Sequence, residues 1–118
     1  ICDVTGVSLD SDNNWDRDVQ KILDAIKRNT CFIAINFPHN HSGKVISREK
    51  LDTLIEISRK HDIYLFSDEV YRLMEGREEI RLPQIADIYE KGLSFNVMSK
   101  AYGLPGLRMC WKDSFKGY

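Results

Sequence analysis

Two short apolar runs, separated by one amphipathic stretch, restrict this chain more than any other feature. Cys31-Phe32-Ile33-Ala34-Ile35-Asn36-Phe37 and Ile63-Tyr64-Leu65-Phe66-Ser67 are continuous rather than alternating. That pattern belongs to strands buried on both faces of a parallel sheet. Between the runs, Leu51, Leu54, Ile55 and Ser58 recur at helical spacing behind Ser47, whose hydroxyl suits a helix cap. Pro38 ends the first run, and His61 and Asp62 make the turn into the second. Strand, helix and parallel strand in that order make a βαβ unit, so the chain reads as α/β.

The same reasoning extends in both directions. Ile1 to Leu9 predicts a strand, and Val19, Ile22, Leu23 and Ile26 predict the buried stripe of a helix capped by Asp16. Arg77 to Arg81 is a charged, exposed loop, followed by a short helix over Pro83 to Lys91 with Ile85, Ile88 and Tyr89 on one side and Gly92 as its stop. Leu93, Phe95 and Val97 then alternate as a strand does. Met109-Cys110-Trp111 begins one more strand, and Lys112 to Tyr118 is polar and frayed. One domain accounts for the 118 residues.

Charge narrows the choice of partners. The chain carries 17 basic and 18 acidic side chains, a formal net charge of -1, with the two signs interspersed. Nucleic-acid surfaces need a concentrated basic excess, so none is expected. The longest apolar run, Cys31 to Ile35, is too short to cross a bilayer, and no signal-peptide pattern opens the sequence. The reading is a soluble, cytoplasmic protein. Cys2, Cys31 and Cys110 are too widely spaced for a disulfide framework or a zinc knuckle and read as small core residues. His39 and His41 stand two apart with no third ligand nearby, so no metal site is expected, and His61 is a solvated turn residue. A chain that opens at Ile1, already in strand-like sequence, reads as a piece of something longer.

Three successive strands hand over to polar side chains: Asn40 after the first apolar run, Asp68 after the second, and Lys100 after Val97. Parallel strands place those three positions on one rim, where open α/β sheets bind ligands. Lys100 enters a loop bent by Gly103, Pro105 and Gly106, which closes on Arg108. Each residue alone has a plainer explanation. Asp68 could be the ion-pair partner of Lys100, Tyr71 a half-buried core aromatic, Arg108 a surface ion-pair residue and Ser99 a turn hydroxyl. Convergence is what lifts them above it.

These segments resemble the central part of the large domain of class I/II aminotransferases, the fold-type I enzymes that use pyridoxal 5'-phosphate. Asn40-His41-Ser42-Gly43 resembles the family's Asn-Pro-Thr-Gly loop, Asp68-Glu69-Val70-Tyr71 its Asp-Glu-x-Tyr, and Ser99 through Arg108 its Ser-Lys-x-x-Gly-Leu-x-Gly-x-Arg. The three stand in the family's order and at its spacing. The resemblance implies that Lys100 forms the Schiff base with the cofactor aldehyde and then moves a proton at the substrate Cα. It implies that Asp68 pairs with the pyridine nitrogen, that Tyr71 and Asn40 bond the ring's 3'-oxygen, and that Arg108 grips the phosphate with help from Ser99. Catalytic roles thus fall to Lys100, Asp68 and Tyr71.

The implied fold is a three-layer αβα domain with a mainly parallel sheet. Residues 1–118 would form a partial cofactor-binding domain, inactive in isolation, that lacks the upstream part and the small domain of a homodimeric parent. Two departures stand out: His41 replaces the loop proline, which removes a rigid φ, and Val97 replaces a serine three residues before the lysine. The family also separates the strand resembling Ile1 to Leu9 from its neighbour by a strand with no counterpart here, so an unpaired sheet edge is expected. A lyase using the same cofactor, or a non-catalytic binding module on the same sheet, are the alternative readings.

Overall fold

The computed structural model describes residues 2–9 and 18–114. Its elements run α1 (Val19–Ala25), β1 (Phe32–Asn36), α2 (Arg48–Lys60), β2 (Tyr64–Asp68), a 3-10 turn (Glu78–Ile80), α3 (Ile85–Ile88), β3 (Gly92–Val97), a second 3-10 turn (Pro105–Leu107) and β4 (Cys110–Ser114). The four strands form one sheet in the order β1-β2-β3-β4. β1, β2 and β3 are parallel, with Asn36 opposite Asp68 and Asp68 opposite Phe95, and β4 returns antiparallel with Cys110 opposite Val97.

α2 follows its sequence closely. The Ser47 hydroxyl accepts the Lys50 amide, Glu49 sits in the first turn, and Arg59 and Lys60 complement the dipole in the last. Leu51, Leu54, Ile55 and Ser58 are all buried, as their spacing predicts. α1 is capped by Asp18, which accepts the Gln20 amide, and not by Asp16, which lies outside the described residues. Ile22 fixes the helix phase by entering the core.

Among the described residues, helices and sheet meet on one face only. Ile33, Ile35 and Leu65 of the sheet pack with Ile22 of α1, Leu51, Leu54 and Ile55 of α2, and Ile85 of α3 in a single cluster. The reason is topological. Right-handed crossovers that step the same way across a sheet land on the same side, and the order β1-β2-β3 never reverses. The described residues therefore supply the sheet and one of the two helix layers of a three-layer domain. On the other face, Phe32 stacks on Phe66 at 6.0 Å between ring centroids and Phe66 leans on Phe95 at 6.4 Å.

That one-sidedness corrects four expectations. The first apolar run is not buried on both faces, since Phe32 is 48% exposed and Ala34 is also open. Cys2, Cys31 and Cys110 are exposed rather than core, Cys110 because its register with Val97 sets it on the uncovered face. Residues 2–9 form no strand, consistent with a strand whose neighbour is missing, and Val4 is 90% exposed. Lys112 to Ser114 are not frayed but complete β4, while residues 115–118 lie outside the described set. The 77–81 loop is exposed from Arg77 to Ile80, as its charges predict, and folds as a 3-10 turn in which the half-buried Arg81 bridges Glu75 and Glu78.

Gly92 does more than stop a helix. It opens β3 directly beneath α3, where a Cβ would run into the Ile85 carbonyl oxygen and lie 2.7 Å from Ile85 Cγ2. Gly92→Ala is expected to cost at least about 1–3 kcal/mol of stability by forcing the helix off the sheet, seen as a lower urea midpoint.

Candidate functional site

The carboxyl ends of β1, β2 and β3 carry the residues singled out by the sequence. Asn40 lies in the turn after β1, where its amide donates to Asn36 Oδ1 at 3.0 Å. The turn is tied further by His39 N to Lys44 O and Gly43 N to His39 O, both at 2.9 Å, and by His39 Nδ1 to Ser42 Oγ at 2.8 Å. Gly43 takes φ +69, a left-handed position that suits glycine. These bonds hold the Asn40 loop without the missing proline. The His39 and His41 rings lie 5.4 Å apart, and no group of three or more metal-binding side chains occurs among the described residues.

Asp68 ends β2, half-buried, with Oδ1 accepting the Val70 amide at 3.2 Å. Its main-chain carbonyl accepts the Phe37 amide at 3.0 Å, while the neighbouring Glu69 amide donates to Phe95 O at 2.8 Å. The strand end is thus fastened on both sides. Lys100 lies three residues beyond β3 in the β3–β4 connection, exposed, with Nζ 5.2 Å from the centroid of the half-buried Tyr71 ring. No carboxylate among the described residues pairs with Lys100, so the purely structural Asp68–Lys100 ion pair is not formed. Tyr71 is half-buried, as the plainer reading held, but it is also the ring beneath the lysine.

The Lys100 loop closes through Met98 N to Met109 O at 3.0 Å and Leu104 N to Met98 O at 3.1 Å. Ser99 and Arg108 are the residues just beyond that first rung. Arg108 is exposed, takes φ +53 at the end of the Pro105–Leu107 turn, and makes no ion pair among the described residues. The rim therefore presents an amine, a carboxylate, a phenol, an amide and a guanidinium, and none of the three charged groups is neutralised by an ion pair among the described residues.

Glu69 was visible in the sequence only as a motif letter. In the fold it turns away from the rim into the core, 5% exposed. Its Oε1 accepts the Ile85 amide at 3.1 Å and the Ser94 hydroxyl at 2.9 Å, and Ser94 Oγ in turn accepts the Ala86 amide at 3.1 Å. α3 has no side-chain cap of its own, since Gln84 caps nothing, so Glu69 and Ser94 satisfy its first amides from the sheet. Burial pushes the Glu69 carboxyl above its ordinary value, against the Ile85 and Ser94 donors and the Arg72 charge. A raised carboxyl binds protons more tightly folded than unfolded, so this group's contribution to stability declines as pH rises from 4.5 through the raised value. In Glu69→Gln that decline should vanish, leaving a flatter stability–pH curve over the same window in urea titrations.

Known proteins share this sequence pattern and this fold. The sequence profile described as aminotransferase class I and II matches residues 2–111. Human kynurenine-oxoglutarate transaminase 1 is 29% identical over 105 residues, which cover 87% of this chain and 25% of that protein. The aspartate aminotransferase of Pyrococcus horikoshii is 30% identical over 103 residues, covering 87% and 26%. Among solved structures, a PLP-dependent aminotransferase from Streptococcus suis is similar at a TM-score of 0.82 and 36% identity, covering 91% of this chain and 28% of that one. The chain spans about a quarter of the length of the curated relatives it matches. Both the profile, which covers nearly all of the sequence, and the shared fold lead to one assignment: this chain belongs to the class I and II aminotransferase family.

Proposed function

We propose that the chain is the cofactor-binding core of a pyridoxal-phosphate-dependent aminotransferase, which moves an amino group between an amino acid and a 2-oxo acid. The observation that carries this reading is Lys100 Nζ poised 5.2 Å over the Tyr71 ring, without an anionic partner among the described residues, on the rim that also holds Asp68. The donor set fits the cofactor. A carboxylate with one oxygen bonded to Val70 N keeps the other for a cationic ring nitrogen, and Arg108 and Ser99 at the loop mouth suit a phosphate. Pyridoxal 5'-phosphate supplies an electrophilic aldehyde and a ring that withdraws electrons from the substrate Cα.

The chain's own residues do the rest. Lys100 would be the amine that holds the cofactor at its aldehyde and the base that moves the proton at the substrate Cα. Asp68 holds a proton on the ring nitrogen. Tyr71 and Asn40 bond the ring's 3'-oxygen, and Arg108 orients the phosphate with its planar fork. The catalytic set is Lys100, Asp68 and Tyr71. The chain is read as a partial large domain, with the upstream part and the small domain supplied by a longer parent. Exposed Tyr102, Leu104, Leu107 and Met109 on the Lys100 loop support a second subunit packed there, as in a homodimer. Three unpaired cysteines support a reducing, cytoplasmic setting. Incubating the full-length parent with pyridoxal 5'-phosphate, a panel of amino acids and 2-oxoglutarate or pyruvate tests the reading. Glutamate or alanine formation is the expected result, and release of ammonia without amino transfer would instead indicate a lyase.

A further inference from the structure

We propose that Glu69 is a positioning residue for Asp68, an inference that rests on the cofactor-binding role proposed above. The two side chains leave neighbouring residues in opposite directions. Asp68 stays half-buried at the rim, whereas Glu69 enters the core and joins three elements at once: its own strand end, Ser94 in β3 and the amide of Ile85 at the start of α3. Its amide bonds Phe95 O at 2.8 Å and its carbonyl accepts the Arg72 amide at 2.8 Å, so the peptide following Asp68 is held by main chain and side chain together. Arg72 adds charge on the same side, and Arg72 and Glu69 both border a cavity of about 30 Å³ beneath the strand end.

Without the Glu69 carboxylate, the Ile85 amide and the Ser94 hydroxyl lose their shared acceptor and Arg72 loses a nearby negative charge. Buried donors left unpaired are costly, and the cheapest relief is movement of the strand end that carries Asp68. Asp68 then meets the cofactor's ring nitrogen in a looser geometry. Glu69→Gln keeps Oε1 as an acceptor for both donors. The replaced oxygen, Oε2, is buried without a hydrogen-bond partner, so the amide nitrogen breaks no bond, and its cost is confined to unpaired N–H groups and the lost charge near Arg72 while both donors keep their acceptor.

The test uses the full-length protein loaded with pyridoxal 5'-phosphate, in wild-type, Glu69→Gln, Glu69→Ala and Ser94→Ala forms. The pH midpoint of the bound cofactor's visible absorbance and its dissociation constant are read beside the melting temperature of the cofactor-free protein. Glu69→Ala should shift the midpoint by about one pH unit and weaken binding roughly tenfold, with both effects clearly smaller in Glu69→Gln. Ser94→Ala, which removes one donor to Glu69 and the acceptor of the Ala86 amide but leaves the Glu69 side chain in place, should shift both in the same direction by less and serves if Glu69→Ala does not fold. Lower melting temperatures with an unmoved midpoint and unchanged affinity in Glu69→Ala, or in Ser94→Ala alone, would overturn the proposal, leaving Glu69 as a stabiliser only. A Glu69→Gln shift as large as that of alanine would overturn it too. Failure of the wild type itself to bind the cofactor would strike the functional reading instead.

Discussion

Lys100→Ala in the full-length parent should lower transamination by at least about a thousandfold, because in the proposed mechanism one residue serves both as the amine that holds the cofactor and as the proton carrier. The fold should hardly notice. Lys100 is exposed, lies beyond the last rung of β3, and no carboxylate among the described residues pairs with it. Its loss should move the urea midpoint by no more than about 0.5 kcal/mol in stability. Lys100→Arg separates chemistry from charge: the guanidinium keeps the positive charge over Tyr71 but cannot act as a neutral amine, so it should fail as alanine does. Turnover retained in either variant would remove Lys100 from the mechanism.

Asp68→Asn is the second large effect, a loss on the order of a hundred- to a thousandfold in turnover. The asparagine oxygen can still accept the Val70 amide that Asp68 Oδ1 accepts at 3.2 Å, so the local turn persists. What disappears is the charge that, in the proposed mechanism, holds a proton on the ring nitrogen. Stopped-flow measurement of Cα proton removal should show the deficit in that step, with substrate affinity changed much less. A variant with wild-type proton removal would show that the ring needs no carboxylate there.

The parts of the fold written in short-range pattern were legible. Ser47 and the buried stripe of α2 follow from spacing alone, and so does the order of the strands that bring Asn40, Asp68 and Lys100 to one rim. Patterns that depend on distant neighbours were not. Apolar residues at Phe32, Phe66 and Phe95 signal a face meant to be covered, but nothing in a single apolar run tells whether the cover lies in the same stretch of chain. Cys110 reads as core until the antiparallel register with Val97 turns it outward. Asp16 reads as the cap from sequence, but the helix begins at Val19 and the Asp18 side chain accepts the Gln20 amide instead. Glu69 was hidden for the same reason: its acceptors' partners, Ile85 and Ser94, stand 16 and 25 positions away, and only the packed sheet brings them to it.

In the proposed function, Lys100 alone among the lysines would hold pyridoxal 5'-phosphate through its aldehyde. The most direct measurement is reduction of the full-length protein with borohydride after incubation with pyridoxal 5'-phosphate, followed by mass-spectrometric mapping of the modified residue. Denatured protein and Lys100→Ala serve as controls, since exposed lysines react slowly with any aldehyde. The account predicts near-stoichiometric label on Lys100 in native protein, lost in both controls. Label scattered over surface lysines, with Lys100 no more reactive than the rest, would contradict it.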